Sequence, residues 1–247
     1  MKDHYSYTLY ADPATARTFD DRRFGGPIGE LVAREQAGVL ARFLDPIAGR
    51  TIVDVGTGTG RAALQLAQAG AHVTGIDASE QMLAVARQRA AAAATAVNFQ
   101  IGDAHALPFP DRNFDAAVCL RVLMHTPDWR HSVAELCRVA DRFVVADFPS
   151  AASVALVQAL WRRALHAAGV RTEAYRVFSR GEIARAFRTG GFRIRGIHRQ
   201  FVLPIALHKA IGSLRFTETS ERALAAVGLL AVFGSPVTIV AERCESS

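Results

Sequence analysis

The sequence predicts a doubly wound α/β fold on the basis of two observations. Short apolar or β-branched runs, typical of buried strands, alternate along the chain with helices of about ten residues or more. A glycine-rich loop, VDVGTGTG, stands where the first of these strands turns into a helix. Because strands joined by helices need crossover connections, neighbouring strands should run parallel and the sheet should be buried on both faces.

The periodicity of the apolar residues places the individual elements. In the first part of the chain the predicted strands are residues 51–55, 72–76, 97–101, 114–120 and 143–146. The predicted helices there are residues 30–44, 61–69, one that begins after the N-cap Ser79, and 128–139. Beyond residue 149 we expect a helix over 151–168, a helix capped by Ser179 and running to Arg188, and strands over 192–201 and 236–241.

Composition limits the classes of protein to which the chain can belong. Its 247 residues suffice for one large domain with a buried core. The apolar run over residues 223–233 is too short to cross a bilayer of about 30 Å, so no membrane span is expected. The start lacks the pattern of a secretory signal and the three cysteines cannot all pair, which favours a reducing cytoplasm. The histidines and cysteines show no metal-ligand spacing, so no metal site is expected.

The motif VDVGTGTG is the first of three that carry chemistry. Gly56, Gly58 and Gly60 let the backbone turn sharply and let a ligand approach without meeting a Cβ. The spacing departs from the Gly-x-Gly-x-x-Gly fingerprint for a pyrophosphate, because Arg61 stands where the third glycine would be. Asp54, two residues before the first glycine, suits a ligand with a cationic amino group.

Two carboxylates follow the next two strands. Asp77 ends the second strand, where it can accept hydrogen bonds from both ribose hydroxyls of an adenosine. Asp103 follows the third strand, where its carboxylate could accept from an adenine amino group while the N–H of Ala104 meets a ring nitrogen. Each carboxylate alone could equally be a helix cap or a turn residue. Their combination with the glycine loop favours a nucleoside site.

VDVGTGTG, GIDASEQMLAVAR and GDAHALPFPDRNFDAAV, in this order and spacing, resemble the class I S-adenosylmethionine-dependent methyltransferases, especially the branch of the ubiquinone and menaquinone methyltransferases. The resemblance covers residues 50–127. It implies S-adenosyl-L-methionine as the cofactor and a Rossmann-like sheet of seven strands whose last strand, in PVTIVAER, is antiparallel. The segment ELCRVADRFVVADF lacks the family's Lys-Pro-Gly-Gly-type turn, so the turn before strand five should be short.

The resemblance also implies roles for individual residues. The implied cofactor-binding residues are Asp54, Gly56, Gly58 and Gly60 around the methionine part, Asp77 on the ribose, Ala78 and Met82 beside the adenine, and Asp103 with Ala104 on the adenine edge. Arg121 would lie near the methionine carboxylate, and a position on the surface is the alternative for it.

We expect a single methyltransferase domain. Residues 1–45 would form an N-terminal lid and helix, 50–149 the cofactor-binding core, 150–234 a cap and substrate region that includes strand six, and 235–247 the last strand and tail. The stretch TFDDRRFGGPIGE is expected to close over the site and exclude water. The aromatic residues expected to line the substrate site from this end are Tyr5, Tyr7, Tyr10, Phe19 and Phe24. A partly disordered tail is the alternative.

The expected reaction is methyl transfer to an O, C or N atom of a small molecule. It is an in-line displacement, so holding the reactants in position supplies most of the catalysis. A base is needed only if the acceptor must lose a proton. His125 is the first candidate, with support of its loop as the alternative role, and His198 and His208 follow. Two other functions stay open: a regulatory protein that binds the cofactor without turnover, and a nicotinamide oxidoreductase.

The positive charge is concentrated in one stretch. The net charge is +6, and residues 151–215 contain twelve Lys and Arg against two acids. This is either a solvated arginine-rich surface or a surface that attracts an anionic partner, such as a phosphorylated substrate or a lipid headgroup, with peripheral membrane contact. No nucleic acid is expected, because neither a binding motif nor interleaved aromatic residues accompany the charge. An amphipathic or anionic acceptor would suit this cap.

Overall fold

Seven strands form the sheet at the centre of the protein, which a computed structural model describes over residues 12–156, 159, 161 and 176–244. The strands are β1 (Thr51–Val55), β2 (His72–Asp77), β3 (Asn98–Ile101), β4 (Phe114–Cys119), β5 (Ala140–Phe148), β6 (Phe192–Phe201) and β7 (Ser235–Arg243). Their order is β3-β2-β1-β4-β5-β7-β6. The first five pair in parallel, and β7 is antiparallel to both of its neighbours. The predicted doubly wound, mostly parallel sheet with an antiparallel last strand is confirmed.

Helices surround the sheet in the described part of the chain. They are α1 (Pro13–Phe24), α2 (Gly26–Phe43), α3 (Arg61–Gln68), α4 (Glu80–Ala92), α5 (Trp129–Val139), α6 (Arg180–Thr189), α7 (Ile205–Ile211), α8 (Leu214–Ala226) and α9 (Leu229–Phe233), with a short 3-10 turn at Leu123–His125. The predicted caps are confirmed, because the hydroxyl of Ser79 accepts from the N–H of Met82 and that of Ser179 forms a capping box with Glu182. None of the helices in the described part of the chain combines the length and the apolar character that crossing a membrane requires.

The two faces of the sheet bury separate apolar clusters, as expected for a sheet covered by helices on both sides. Side chains alternate along β1, so that Val53 and Val55 belong to one cluster and Ile52 belongs to the other. The first cluster includes Trp129, whose ring meets Phe178 edge to face with centroids 5.1 Å apart. Packing on both faces holds the strands in place, so that the residues following the strand ends have fixed positions.

Strand β5 is longer than predicted, and helix α5 passes into it without a turn. We expected residues 143–146, whereas β5 begins at Ala140, directly after α5 ends. The guanidinium of Arg243 makes this junction possible, because it donates hydrogen bonds to the carbonyls of Cys137, Ala140 and Asp141. Those acceptors would otherwise need turn residues or water.

Two helices form the described part of the N-terminal segment, which was expected to be a helical lid. Helix α1 is capped by Asp12, and α2 begins at Gly26, four residues before the predicted start, with a proline in its first turn. The corner between the two helices is tight, since a Cβ at Gly29 would lie 2.3 Å from the carbonyl oxygen of Phe24. The glycines therefore permit close approach of the backbone at this corner. Tyr5, Tyr7 and Tyr10, and most of the predicted helix over 151–168, lie outside the described residues.

A buried polar network organises the C-terminal helices next to the sheet. The Glu221 carboxylate accepts hydrogen bonds from the N–H groups of Val202 and Leu203 at 2.7 and 2.9 Å. It also lies 2.9 Å from Nε2 of His208, whose ring is fully buried and whose Nδ1 is 3.1 Å from the hydroxyl of Thr217. One carboxylate thus joins α8 to the β6–α7 turn and to α7.

Replacing this carboxylate should loosen the turn. We expect Glu221→Ala to lower the free energy of unfolding by about 3 kcal/mol, because it leaves two backbone donors and a buried imidazole without their charged acceptor. The exposed Glu218, on the same helix, provides the matched control Glu218→Ala. Urea denaturation of both variants measures the difference. Equal stability of the two variants would show that the network does not hold the turn.

Candidate active site

The carboxyl ends of β1 to β4 meet around one cavity beneath α1. Ten of the predicted site residues line it. They are Asp54, Gly56, Gly58, Asp77, Ala78, Met82, Asp103, Ala104, Arg121 and His125. Residues from α1 close the cavity from above, among them Phe19, Asp20 and Phe24. We call this the first cavity.

The glycine loop after β1 is held in the left-handed region of φ. Gly58 has a φ of +56°, and a Cβ there would meet nothing within 4 Å, so its backbone faces open space. Gly56 has a φ of +72°, and its Cβ would lie 2.2 Å from Cγ2 of Val122. The N–H groups of Gly56 and Thr57 donate to the carbonyl of Ile76 at 2.8 and 3.0 Å, which fixes the loop to β2. Glycine is needed at both positions for different reasons.

Gly60 lies beside α4 and β3 and not in the wall of the first cavity. It is not among the residues that line the first cavity, and it caps α3 with a φ of +79°. A Cβ there would lie 2.9 Å from Cβ of Ala86 and 3.1 Å from Cζ of Phe99. Gly60 therefore lets α3 begin close to α4 and β3. This is a packing role, and contact of Gly60 with the methionine part of a cofactor stays a prediction.

Asp77 is a half-buried carboxylate at the end of β2. Its Oδ2 accepts from the N–H of Gly58 at 2.8 Å, and its Oδ1 accepts from the N–H of Ser79 at 2.9 Å. Burial raises its pKa, and these backbone hydrogen bonds act in the opposite direction. Each oxygen keeps a lone pair for a further donor. The carboxylate is thus oriented by the backbone on one side and faces the cavity on the other.

Asp54 is a second carboxylate of the site, and it is fully buried. Burial raises its pKa from 3.8 to about 6, against the hydrogen bond from the Thr57 hydroxyl, which lies 2.7 Å from Oδ2, and the positive charge of Arg61. Because desolvation dominates, a cationic ligand group beside Asp54 would relieve the cost of its negative charge. The position therefore favours an ammonium group.

His105, which the sequence did not single out, orients Asp103. Its Nδ1 lies 2.7 Å from Oδ1 of Asp103, and its Nε2 lies 3.3 Å from the backbone nitrogen of Asp128, which can only donate. This pattern assigns the proton to Nδ1, so the imidazole donates to the carboxylate. The backbone N–H of His105 donates to the same oxygen at 2.9 Å. Asp103 is therefore held from one side in a defined direction.

Helix α1 covers the glycine loop through specific contacts. The hydroxyl of Thr59 donates to Asp20 at 2.8 Å, and Asp20 also pairs with Arg89 of α4. The guanidinium of Arg61 lies over the ring of Phe24, 3.8 Å from its centroid, and donates to Gln36. Nε and Nη1 of Arg61 are buried and have no hydrogen-bond partner within residues 12–156, 159, 161 and 176–244. These are donors available to an anionic group in the first cavity.

Arg121 lies at the exit of β4 in an unusual backbone conformation. Its φ is +64°, which is rare for a residue with a Cβ, and its N–H donates to Oδ1 of Asp147. Asp147 is buried in β5, and burial raises its pKa while the charge of Arg121 lowers it. The surface position considered for Arg121 is wrong, because the residue is only partly exposed and lines the first cavity. Asp147 was not predicted.

The three histidines considered as bases lie in different places. His125 is buried in the 3-10 turn after β4, lines the first cavity, and donates its backbone N–H to Val122 at 2.8 Å. His198 lies on β6, where its Nδ1 is 3.2 Å from a guanidinium nitrogen of Arg42, and His208 belongs to the Glu221 network. Neither is among the described residues that line the first cavity. The geometry therefore retains His125 alone as a candidate.

The residues of the first cavity fit an adenosyl amino acid. Asp77 and Asp103 offer acceptors for ribose hydroxyls and for an exocyclic amino group, and Asp54 offers a negative charge for an ammonium. Arg61 offers two buried donors for a carboxylate. The open space above Gly58 admits backbone contact with the ligand. A nicotinamide cofactor carries no ammonium group for Asp54 to bind, so the cavity fits a nicotinamide oxidoreductase less well.

Comparison with known proteins agrees with this geometry. Residues 52–142 match the family described as "Methyltransferase domain". The demethylmenaquinone methyltransferase of Deinococcus radiodurans is 39% identical over 109 residues, which are 42% of this chain and 45% of that protein. The chain spans about half the length of the curated relatives it matches.

Solved structures share the fold at low sequence identity. Magnesium protoporphyrin IX methyltransferase from Synechocystis PCC 6803, crystallised with S-adenosylhomocysteine, has a TM-score of 0.66 and 20% identity, with 96% of this chain and 99% of that chain covered. The [4+2]-cyclase SpnF has a TM-score of 0.60 and 20% identity, with 85% and 80% covered. Identities this low define the fold alone.

The strand order and the structural neighbours define a Rossmann-like α/β fold. Residues 52–142 match the methyltransferase domain family, and the chain shares its fold with solved methyltransferases. The family predicted from the three motifs is confirmed.

The raised pKa of Asp54 predicts how stability depends on pH. The folded protein holds this proton more tightly than the unfolded chain, so the associated stability is present below the unfolded pKa and is lost as the pH rises through about 6. The loss amounts to about 3 kcal/mol at neutral pH. We expect Asp54→Asn to make the ligand-free protein more stable near neutral pH, with a gain that shrinks towards about pH 4.

Urea denaturation at several pH values measures this effect. Asp141→Asn, at an exposed position of β5, is the control and should leave the pH profile unchanged. A gain for Asp54→Asn that is the same at every pH would contradict the assignment of a raised pKa to Asp54.

Proposed function

We propose that this protein binds S-adenosyl-L-methionine in the first cavity and transfers its methyl group to a small-molecule acceptor. The observation that carries the proposal is the juxtaposition of the left-handed backbone at Gly58 with the carboxylate of Asp77, joined by a hydrogen bond of 2.8 Å. Gly58 offers backbone without a Cβ, and Asp77 offers an oriented hydrogen-bond acceptor, at the same edge of the sheet.

Each part of the cofactor has a matching group in the first cavity. Asp77 would hold the ribose hydroxyls, Asp103 with Ala104 the adenine edge, and Ala78 with Met82 the adenine face. Asp54 would hold the amino group. For the carboxylate we favour Arg61 over Arg121, because Arg61 carries two buried donors that the described residues leave without a partner.

Catalysis would depend mainly on how the protein positions the acceptor relative to the methyl group. The bound cofactor supplies an electrophilic methyl group, and the protein aligns the acceptor with it, which can provide several kcal/mol of the barrier reduction. Helix α1 would exclude water from the cavity through its contacts with Thr59 and Arg61. His125, buried at the cavity wall, would accept a proton where the acceptor must lose one.

The acceptor would be an organic molecule methylated on oxygen, carbon or nitrogen. Relatives support this class, since the similar proteins include a demethylmenaquinone methyltransferase and an O-methyltransferase of Penicillium expansum. Free thiols at Cys119, Cys137 and Cys244 support the cytoplasm as the location.

A second candidate function is cofactor binding without methyl transfer. It is favoured by the likeness to SpnF, a cyclase by its description, which shows that the fold is not restricted to methyltransferases. Incubation with methyl-labelled S-adenosylmethionine and a cell extract separates the two. Label in an extractable metabolite supports methyl transfer, whereas tight cofactor binding without any labelled product supports the second function.

Asp77 should dominate the affinity for the nucleoside. We expect Asp77→Ala to weaken binding of S-adenosylhomocysteine by about 100-fold, because two charge-assisted hydrogen bonds to the ribose are lost. Isothermal titration calorimetry measures the dissociation constant, with Asp141→Asn as the control carboxylate and NAD as the control ligand. Unchanged affinity in Asp77→Ala, or binding of NAD in place of S-adenosylhomocysteine, would refute the proposed site.

His125 should affect turnover rather than cofactor binding. If it accepts a proton, His125→Asn lowers kcat for the labelled acceptor by about 100-fold and leaves the dissociation constant of S-adenosylhomocysteine within about twofold. His131→Asn, at an exposed position of α5, is the control. Restored turnover with added imidazole would support the proton-accepting role. A variant with normal kcat would show that His125 only supports its loop.

A further inference from the structure

A second cavity adjoins the first and shares part of its wall. Phe19, Arg23 and Phe24 of α1, together with Arg121, line both cavities. The second cavity extends from there along the start of α7 and the segment after β5, past Met124, Phe201 and Leu203. A molecule in the second cavity would therefore lie next to whatever occupies the first.

The two cavities differ in charge. Four aspartates line the first cavity: Asp20, Asp54, Asp77 and Asp103. Among the described residues that line the second cavity there is no Asp or Glu, whereas four are cationic: Arg22, Arg23, Arg121 and Lys209. The first cavity also contains Arg23, Arg61 and Arg121, so its lining carries both signs of charge, whereas the described lining of the second cavity is cationic only.

The cations of the second cavity crowd one another. Nζ of Lys209 donates to the carbonyls of Arg22 and Arg23 at 3.0 and 2.8 Å, which places it at the C-terminal end of α1. Burial lowers the pKa of Lys209, and the charges of Arg23 and Arg121 lower it further. Nε of Arg121 is buried and has no hydrogen-bond partner among the residues described. An anion here would be attracted by three cations at once.

A buried carboxylate behind the wall interacts with some of these cations. Asp147, in β5, interacts electrostatically with Arg121, Arg23 and Arg61. It is only 1% exposed and is not among the described residues that line the second cavity. The described lining of the second cavity therefore contains cations and no acid.

Apart from Thr15, Ser153 and Ser235, the rest of the described wall is apolar. Its hydrophobic side chains belong to Phe19, Phe24, Val32, Met124, Val154, Phe201, Val202, Leu203 and Ile205. This combination suits a ligand with an apolar body and one anionic group.

We propose that the second cavity is the acceptor site and that Arg23, Arg121 and Lys209 bind a carboxylate or a phosphate group carried by the acceptor. The inference deepens the proposed function and rests on it. Since Arg121 belongs to both cavities, the anion would fix the acceptor at the boundary with the methyl group. A neutral analogue would not gain this electrostatic attraction, so the site would select against it.

Three probes of equal chain length test the proposal. Octanoate, octyl phosphate and octan-1-ol are titrated separately by calorimetry, with and without S-adenosylhomocysteine, up to about 1 mM. We expect at least one anion to bind about tenfold or more tightly than the alcohol, with an affinity that falls as salt is added. Preference for octanoate identifies a carboxylate acceptor, and preference for octyl phosphate identifies a phosphorylated one.

Variants test whether the preference for an anion arises from the cations of the second cavity. Lys209→Gln, which lines the second cavity only, should reduce the preference for the anion about tenfold and leave binding of S-adenosylhomocysteine within about twofold. Arg23→Gln should reduce the preference as well. Arg17→Gln, an exposed position of α1 in neither cavity, is the matched control and should keep it.

Two results would overturn the inference. One is equal affinity for the alcohol and both anions, or no binding of either anion. The other is a preference that survives in both Lys209→Gln and Arg23→Gln. If S-adenosylhomocysteine still binds in these experiments, the anion site is refuted and the proposed function stands. Failure of S-adenosylhomocysteine to bind the unmodified protein refutes the proposed function instead.

Discussion

The carboxyl edge of the parallel sheet is the constraint on which the site depends. β1 pairs with β2 on one side and with β4 on the other, so the chain leaves β1 in one direction and later returns to its opposite flank. Loops after such neighbouring strands diverge and leave a crevice, the position where open α/β sheets bind ligands. Asp77, Arg121 and the glycine loop come together because each follows one of these strands.

The crevice is maintained by close backbone contacts and by carboxylates that the backbone orients. Gly56 approaches Val122 too closely for a side chain, which ties the loop after β1 to the segment after β4. Asp77 and Asp103 each accept backbone N–H groups, so their directions are set before a ligand arrives. Keeping Asp54 buried and charged costs stability, and this is a typical feature of a binding site.

Much of the fold and of the site could be predicted from local sequence. The bounds of β1 and β6 follow from their apolar patterns, and the three motifs identify Asp54, Asp77 and Asp103. What could not be predicted depends on distant contacts: β5 is extended because Arg243, about a hundred residues later, satisfies the carbonyls at its start. The close packing at the α1–α2 corner, where Gly29 meets the carbonyl of Phe24, could not be predicted either.

The missed site residues have the same explanation. Arg61 was noted only as a departure from a fingerprint. His105 acquires its role through Asp103 and through Asp128, 23 residues later, and Asp147 acquires its role through Arg121 on another element. An acid inside the apolar run VVADF was the available signal for Asp147.

A crystal structure with S-adenosylhomocysteine bound tests the central claim most directly. The account predicts ribose hydroxyls within hydrogen-bonding distance of Asp77, the amino group beside Asp54, and the sulfur directed at the boundary formed by Arg121. A nucleoside bound elsewhere, or an Asp77 carboxylate that contacts only the backbone in the complex, would contradict it.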